Sequence, residues 1–199
     1  MSGKTRVALV TGAFGGLGAA IAGRLAADGC ALALVDLKPC DATAKAIMAD
    51  GGSARSFVCD ITDASTVDDL ARQVEAAFGR CDVLVNNAGF YSTVPFDELT
   101  HETLRRYLAL NLEAPFLMAK ALVPLMRRNG SGRIVSIVSN SFYHVVPGLI
   151  PYVTSKAGVI GMMRGMATDL GPDGITVNAV APGAVVTEKL RQTFFEQLG

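Results

Sequence analysis

Surplus charge is the first thing this chain lacks. Eighteen Lys and Arg balance eighteen Asp and Glu in 199 residues, and the isoelectric point is near 6.7. Without a net basic field there is little long-range attraction to nucleic acid or an anionic membrane, so neither is an expected partner. Cysteine is sparse: Cys30, Cys40, Cys59 and Cys81, with no pair spaced C-x-x-C and only His101 and His144 as histidine partners. That spells out neither a zinc framework nor a redox dithiol, and no metal is expected. Thiols scattered in this way are expected to pack as small apolar residues in a reducing compartment. Long unbroken apolar runs are also missing. The uncharged stretch Val7–Gly23 contains Thr11 and five glycines, and residues 134–155 contain four serines, Asn140, His144 and two prolines. Neither is a signal-peptide core nor a bilayer span. A cytoplasmic protein is the expectation.

What is present is a core. Half the residues are apolar and 18% are charged, too apolar for a disordered chain and too short for two comfortable domains. No repeat, linker or low-complexity segment divides residues 1–199. Apolar strand-like runs (6–11, 31–36, 56–59, 82–86, 132–139, 176–181) alternate with helical patterns (16–28, 42–50, 64–78, 101–128, 152–170, 188–197). Asp41 and Asp63 are the expected N-caps of the second and third helices. Repeated β-α alternation with apolar strands predicts an α/β fold. Its sheet is doubly wound, mostly parallel and Rossmann-like, covered by helices on both faces.

The first strand runs into Thr11-Gly12-Ala13-Phe14-Gly15-Gly16-Leu17-Gly18, and a helix follows. Glycines here permit a tight turn and a close backbone approach to a pyrophosphate, whose charge faces the N–H groups at the helix start. With Gly15 and Gly16 both present, the spacing fits G-x-x-x-G-x-G and G-x-x-G-x-x-G alike. Asp36 closes the second strand. A carboxylate there accepts hydrogen bonds from both hydroxyls of an adenosine ribose and repels a 2′-phosphate. NAD is therefore the expected cofactor, with Lys38 nearby as the one opposing charge.

Tyr152 and Lys156 stand four residues apart near the start of a helix, hence on one face. An ammonium beside a phenol favours phenolate and lowers the tyrosine pKa, so Tyr152 is expected to pass a proton to or from an alcohol oxygen near neutral pH. Ser139 follows the fifth strand at its C-terminal end, where open α/β sheets bind ligands. Asn111 falls inside the long fourth helix, where an amide could open the helix or hold a water.

Together these residues resemble the short-chain dehydrogenase/reductase family in its short single-domain branch. Asp60-Ile61 after the third strand, Asn86-Asn87-Ala88-Gly89 after the fourth and Pro182-Gly183-Ala184-Val185-Val186-Thr187 after the sixth carry the resemblance further. It implies that Gly12, Phe14, Gly16, Leu17 and Gly18 form the pyrophosphate turn and that Asp36 selects NAD. Asp60 and Ile61 would line the adenine, and Asn86, Asn87, Ala88 and Gly89 would flank the cofactor. Pro182, Gly183, Val185 and Thr187 would reach its carboxamide and phosphates. Tyr152 is the implied general acid/base, with Ser139 on the substrate oxygen. Lys156 would hold the nicotinamide ribose and tune Tyr152, and Asn111 would hold a relay water. Family members usually continue past the Pro-Gly segment into a further helix and a seventh strand, so the natural protein is expected to be longer, with the last strand missing here.

The walls of the substrate pocket are expected after Gly89 and between Ser139 and Tyr152, including Phe90, Tyr91, Val94, Phe142, Tyr143, Val145, Val146 and Leu149. No Arg or Lys lies between Ser139 and Tyr152, which favours a neutral hydrophobic secondary alcohol or ketone. The segment Phe78–Leu99 resembles aromatic secondary-alcohol dehydrogenases of the family, which brings aryl ketones within that class. An NADPH-dependent 3-oxoacyl thioester reductase and a non-catalytic NAD-binding regulator are the rival readings. A homo-oligomer, dimer or tetramer, is expected through the long helix and the Tyr152 helix, where Ala157, Gly158, Gly161 and Gly165 allow close approach.

Overall fold

The computed structural model describes residues 5–143 and 146–187. Six parallel strands form one sheet in the order β3-β2-β1-β4-β5-β6: β1 (Val7–Thr11), β2 (Ala31–Asp36), β3 (Ser53–Val58), β4 (Val83–Asn86), β5 (Gly132–Ile137) and β6 (Ile175–Val180). The order reverses between β1 and β4, and that crevice at the carboxyl ends of the strands is where open α/β sheets take ligands. The expected doubly wound sheet is the one observed.

Burial explains why the strands look as they do. All five residues of β1 and all four of β4 are buried, since both faces of the sheet centre are covered. Alternate residues of β1 serve different cores. Ala8 and Val10 pack with Ala22, Leu32, Leu34 and Ile47, on the side of α1 (Gly16–Ala27) and α2 (Asp41–Ala49). Leu9 packs with Val67, Leu70, Met118 and Leu122, on the side of α3 (Ala64–Phe78) and α5 (Ala114–Arg128). Residues of α6 (Ile150–Leu170) pack against that second core. All four cysteines are buried.

Several boundaries differ from the sequence reading. The edge strand β3 begins at Ser53 rather than Ser56; its polar, half-exposed first residues hide the pattern. Asp63 caps α3 as expected, accepting from the N–H groups of Ser65 and Thr66. Asp41 does not cap α2; Cys40 precedes the helix without a side-chain cap, and Asp41 lies in its first turn. The long fourth helix is three pieces: α4 (His101–Leu108), a π turn (Ala109–Glu113) and α5. The stretch His101–Arg128 is long and apolar enough to cross a bilayer, but Met118, Ala119, Leu122, Leu125 and Met126 are buried in the core. His144, Val145 and the expected helix 188–197 lie outside the described residues.

Candidate active site

A groove of about 940 Å3 runs along the carboxyl ends of β1, β2, β3 and β4. Its floor is the first turn. Gly12 and Gly16 have φ of +68° and +56°, which side chains rarely tolerate. Gly18 is needed for a different reason: a Cβ there would stand 2.0 Å from the Gly12 carbonyl oxygen. Gly15 has φ −173° and open space around it. The turn is therefore built as G-x-x-x-G-x-G, which settles the ambiguity of spacing.

The turn is fastened to the end of β4. The Thr11 hydroxyl accepts from the N–H groups of Asn87 and Ala88, both at 3.0 Å. The Asn87 amide donates to the carbonyls of Thr11 at 2.9 Å and Gly12 at 3.2 Å. Asp36 reaches the same turn: its carboxylate accepts from the N–H of Phe14 at 3.2 Å and of Lys38 at 3.4 Å. The Lys38 ammonium stands 5.6 Å from the centre of the Phe14 ring, a cation–π contact beside Asp36.

Of the residues assigned to a cofactor from sequence, Gly12, Phe14, Gly16, Leu17, Gly18, Asp36, Asp60, Ile61, Asn87, Ala88, Gly89 and Thr187 all line the groove. Thr187 comes back over the turn, its methyl group 3.6 Å from where a Gly16 Cβ would stand. Pro182, Gly183 and Val185 do not line it. Pro182 and Gly183 run beside the Ser139 segment, where the Pro182 carbonyl accepts from the Asn140 N–H at 3.1 Å. Tyr152 and Lys156 also stand outside the lining, which stops at Gly89 and Phe90. The sequence reading passed over Arg106, Ala109 and Leu110, which enter the groove from α4 and the π turn. They are a hundred residues from the glycine turn, and only the crossover topology brings them there.

Past Gly89 the four polar residues converge. Ser139, two residues beyond β5, accepts from the Ser141 N–H at 3.1 Å, and its hydroxyl is close enough to Tyr152 to act on the phenol's pKa. Lys156 is 6% exposed; its ammonium donates to the Ile137 carbonyl at 2.8 Å and lies 5.9 Å from the centre of the Tyr152 ring. A Cβ on Gly89 would meet Asn111 Oδ1 at 2.9 Å and Lys156 Nζ at 3.5 Å. Only glycine leaves that space between the groove and the polar cluster.

Asn111 is buried, and its whole amide is engaged. Oδ1 accepts from the Phe90 N–H at 3.1 Å, while Nδ2 donates to the Phe90 carbonyl at 3.2 Å and to Ser155 Oγ at 3.1 Å. Ser155 in turn donates to the Tyr152 carbonyl at 2.7 Å. Ser155 and the Phe90 backbone were not singled out from sequence; only their adjacency to Lys156 and Gly89 hinted at them.

One electrostatic expectation is corrected. Tyr152 is not pulled down by Lys156. Burial pushes its pKa above the ordinary value, and the Ser139 hydroxyl pulls the other way. The Lys156 ammonium itself is bonded to the Ile137 carbonyl. Burial lowers its own pKa from 10.5 to about 8.

This chain belongs to the short-chain dehydrogenase/reductase family, whose description as short chain dehydrogenase matches residues 6–197. D-threitol dehydrogenase of Mycolicibacterium smegmatis is 40% identical over 92% of this chain and 71% of its own length. A 3-oxoacyl-(acyl-carrier-protein) reductase of Synechocystis sp. is 39% identical over 92% of this chain and 75% of its own. A metagenomic short-chain oxidoreductase solved in complex with NADP superposes with a TM-score of 0.85 and 37% identity, over 90% of this chain and 83% of that one. The chain is accordingly an oxidoreductase of a family that uses a nicotinamide cofactor.

Proposed function

We propose that the protein transfers hydride between NAD(H) and a neutral, hydrophobic secondary alcohol or ketone, aryl ketones included, with Tyr152 as general acid/base. The observation that carries this reading is the meeting of Tyr152, Ser139 and buried Lys156 just beyond Gly89, next to the glycine-floored groove. The groove fits a dinucleotide: its floor excludes any Cβ at Gly18, and its volume lies at the upper end of the range for ligand sites.

In this reading Gly12, Phe14, Gly16, Leu17 and Gly18 cradle the pyrophosphate. Asp60 and Ile61 line the adenine, while Asn87, Ala88 and Gly89 flank the nucleoside. Thr187, over the turn, reaches the phosphates, and Pro182, Gly183 and Val185 reach the carboxamide. Asp36, already oriented by two N–H groups, takes the ribose hydroxyls with its remaining lone pairs and repels a 2′-phosphate. The bound nicotinamide supplies or accepts the hydride. Ser139 donates to the substrate oxygen and Tyr152 gives it the proton. Lys156, its ammonium fixed by the Ile137 carbonyl, holds the nicotinamide ribose, and the π turn at Asn111 holds the water through which the proton is replaced.

NADPH-dependent reduction of a 3-oxoacyl thioester is the second reading. Lys38 beside Asp36 favours it, as do the relative named for that reaction and the neighbour solved with NADP. Initial rates with NADH and NADPH against aryl ketones and 3-oxoacyl thioesters separate the two. Turnover of NADH with the ketones is expected; turnover confined to NADPH and thioesters would replace the first reading with the second.

A homo-oligomer in the cytoplasm belongs to the same proposal. Ala157, Gly161 and Gly165 leave a smooth exposed stripe on α6, whereas Gly158 is occupied by Leu112 of its own chain. A monomer mass by light scattering would contradict the assembly.

A further inference from the structure

We propose that Tyr91 is a specificity-determining residue: its ring is the wall of the site beside Tyr152 and limits how large a substituent the substrate carbonyl carries on that side. The inference rests on the reading of Tyr152 as proton donor.

The rings of Tyr91 and Tyr152 are 5.1 Å apart and at 88° to each other, the T-shaped packing that aromatic pairs favour. Tyr91 is 56% exposed, so its ring covers Tyr152 on one side and meets open space on the other. Among the described residues its hydroxyl makes no hydrogen bond. The backbone around it is held firmly. Phe90 is clamped by Asn111 through both its N–H and its carbonyl, and its ring packs 4.1 Å from that of Tyr107. The carbonyl of Ser92 accepts from the Tyr107 hydroxyl at 2.8 Å, and Tyr107 is 1% exposed. The N–H of Val94 donates to the Gly148 carbonyl at 2.8 Å, tying this strap to the segment before α6.

Residues 90, 92 and 94 are thus anchored and residue 91 is not. Its side chain is presented by a fixed backbone, and a rigid aromatic presented in this way loses little entropy on contact with a ligand. The same clamps link the strap to Asn111, and Asn111 to Ser155 in the helix that carries Tyr152. A substrate bonded to Tyr152 therefore has the Tyr91 ring as its neighbour on that side.

The test compares the full-length wild type with Tyr91→Phe and Tyr91→Ala, using NADH and ketones of rising bulk from acetone through acetophenone to benzophenone. NADH affinity is measured in parallel by calorimetry. Tyr91→Ala is expected to raise kcat/KM for benzophenone relative to acetone by about tenfold, the usual scale of steric discrimination in an apolar pocket. Tyr91→Phe should keep the wild-type ratio, and NADH affinity should be unchanged in both. An unchanged ratio in an active Tyr91→Ala, or an equal loss on every ketone, overturns the inference and leaves the parent reading standing. A wild type that binds NADH but reduces no ketone overturns both.

Discussion

The two halves of the sheet carry their chemistry in different materials. In the half made of β1, β2 and β3, the groove is shaped by backbone: glycines that admit close approach, a threonine and an asparagine that sew the turn to β4, and one aspartate. In the half made of β4, β5 and β6, a polar cluster next to the groove is made by side chains bonded across elements. Asn111, Ser155, Lys156 and Tyr152 come from a π turn and a helix; they are fixed by the carbonyls of Phe90 and Ile137 and by Ser139. A backbone device fails by clash, while a side-chain device fails by losing a proton or a partner. The two halves should therefore break differently.

The largest effect is expected from Gly18→Ala. Its methyl group would stand 2.0 Å from a backbone oxygen and 2.7 Å from the Asn87 amide, so the turn itself must move. A loss of more than about 3 kcal/mol in urea denaturation, with NADH binding abolished, is expected from overpacking of this severity. A stable variant that still binds NADH would show that the turn is not built as described.

Lys156 gives the next effect, and it is one of pH. Its folded pKa of about 8 lies below the ordinary 10.5, so between those values the unfolded chain binds more protons. Stability should therefore rise as pH climbs from 8 to 10.5, by on the order of 3 kcal/mol from this group alone. In Lys156→Met that contribution disappears and the slope across this window flattens. Denaturation midpoints of both proteins at pH 7.5 and 10 check it; parallel pH profiles would mean that Lys156 is not held buried.

The same contrast explains what could be read from the chain alone. Gly12, Gly16, Gly18 and Asp36 are close in sequence, and a strand-turn-helix of fixed spacing is a local pattern. The parallel sheet was legible for the same reason, since apolar strands and helical periods alternate. The engagement of Asn111 with Phe90 and Ser155 was not, because no local pattern encodes a bond across 44 residues. Asp41 as a cap failed because aspartate is as acceptable in a first turn as before it. The tuning of Tyr152 by Lys156 failed because four residues of spacing bring two side chains near but do not choose which oxygen the ammonium meets.

The central claim is that the polar cluster beyond Gly89 moves the proton while the groove before it only binds. The most direct measurement is kcat/KM for NADH-dependent ketone reduction in the wild type and in Tyr152→Phe, with NADH affinity measured for both. A fall of about a thousandfold at unchanged NADH affinity is expected if Tyr152 is the acid. Retained turnover in Tyr152→Phe would contradict the account.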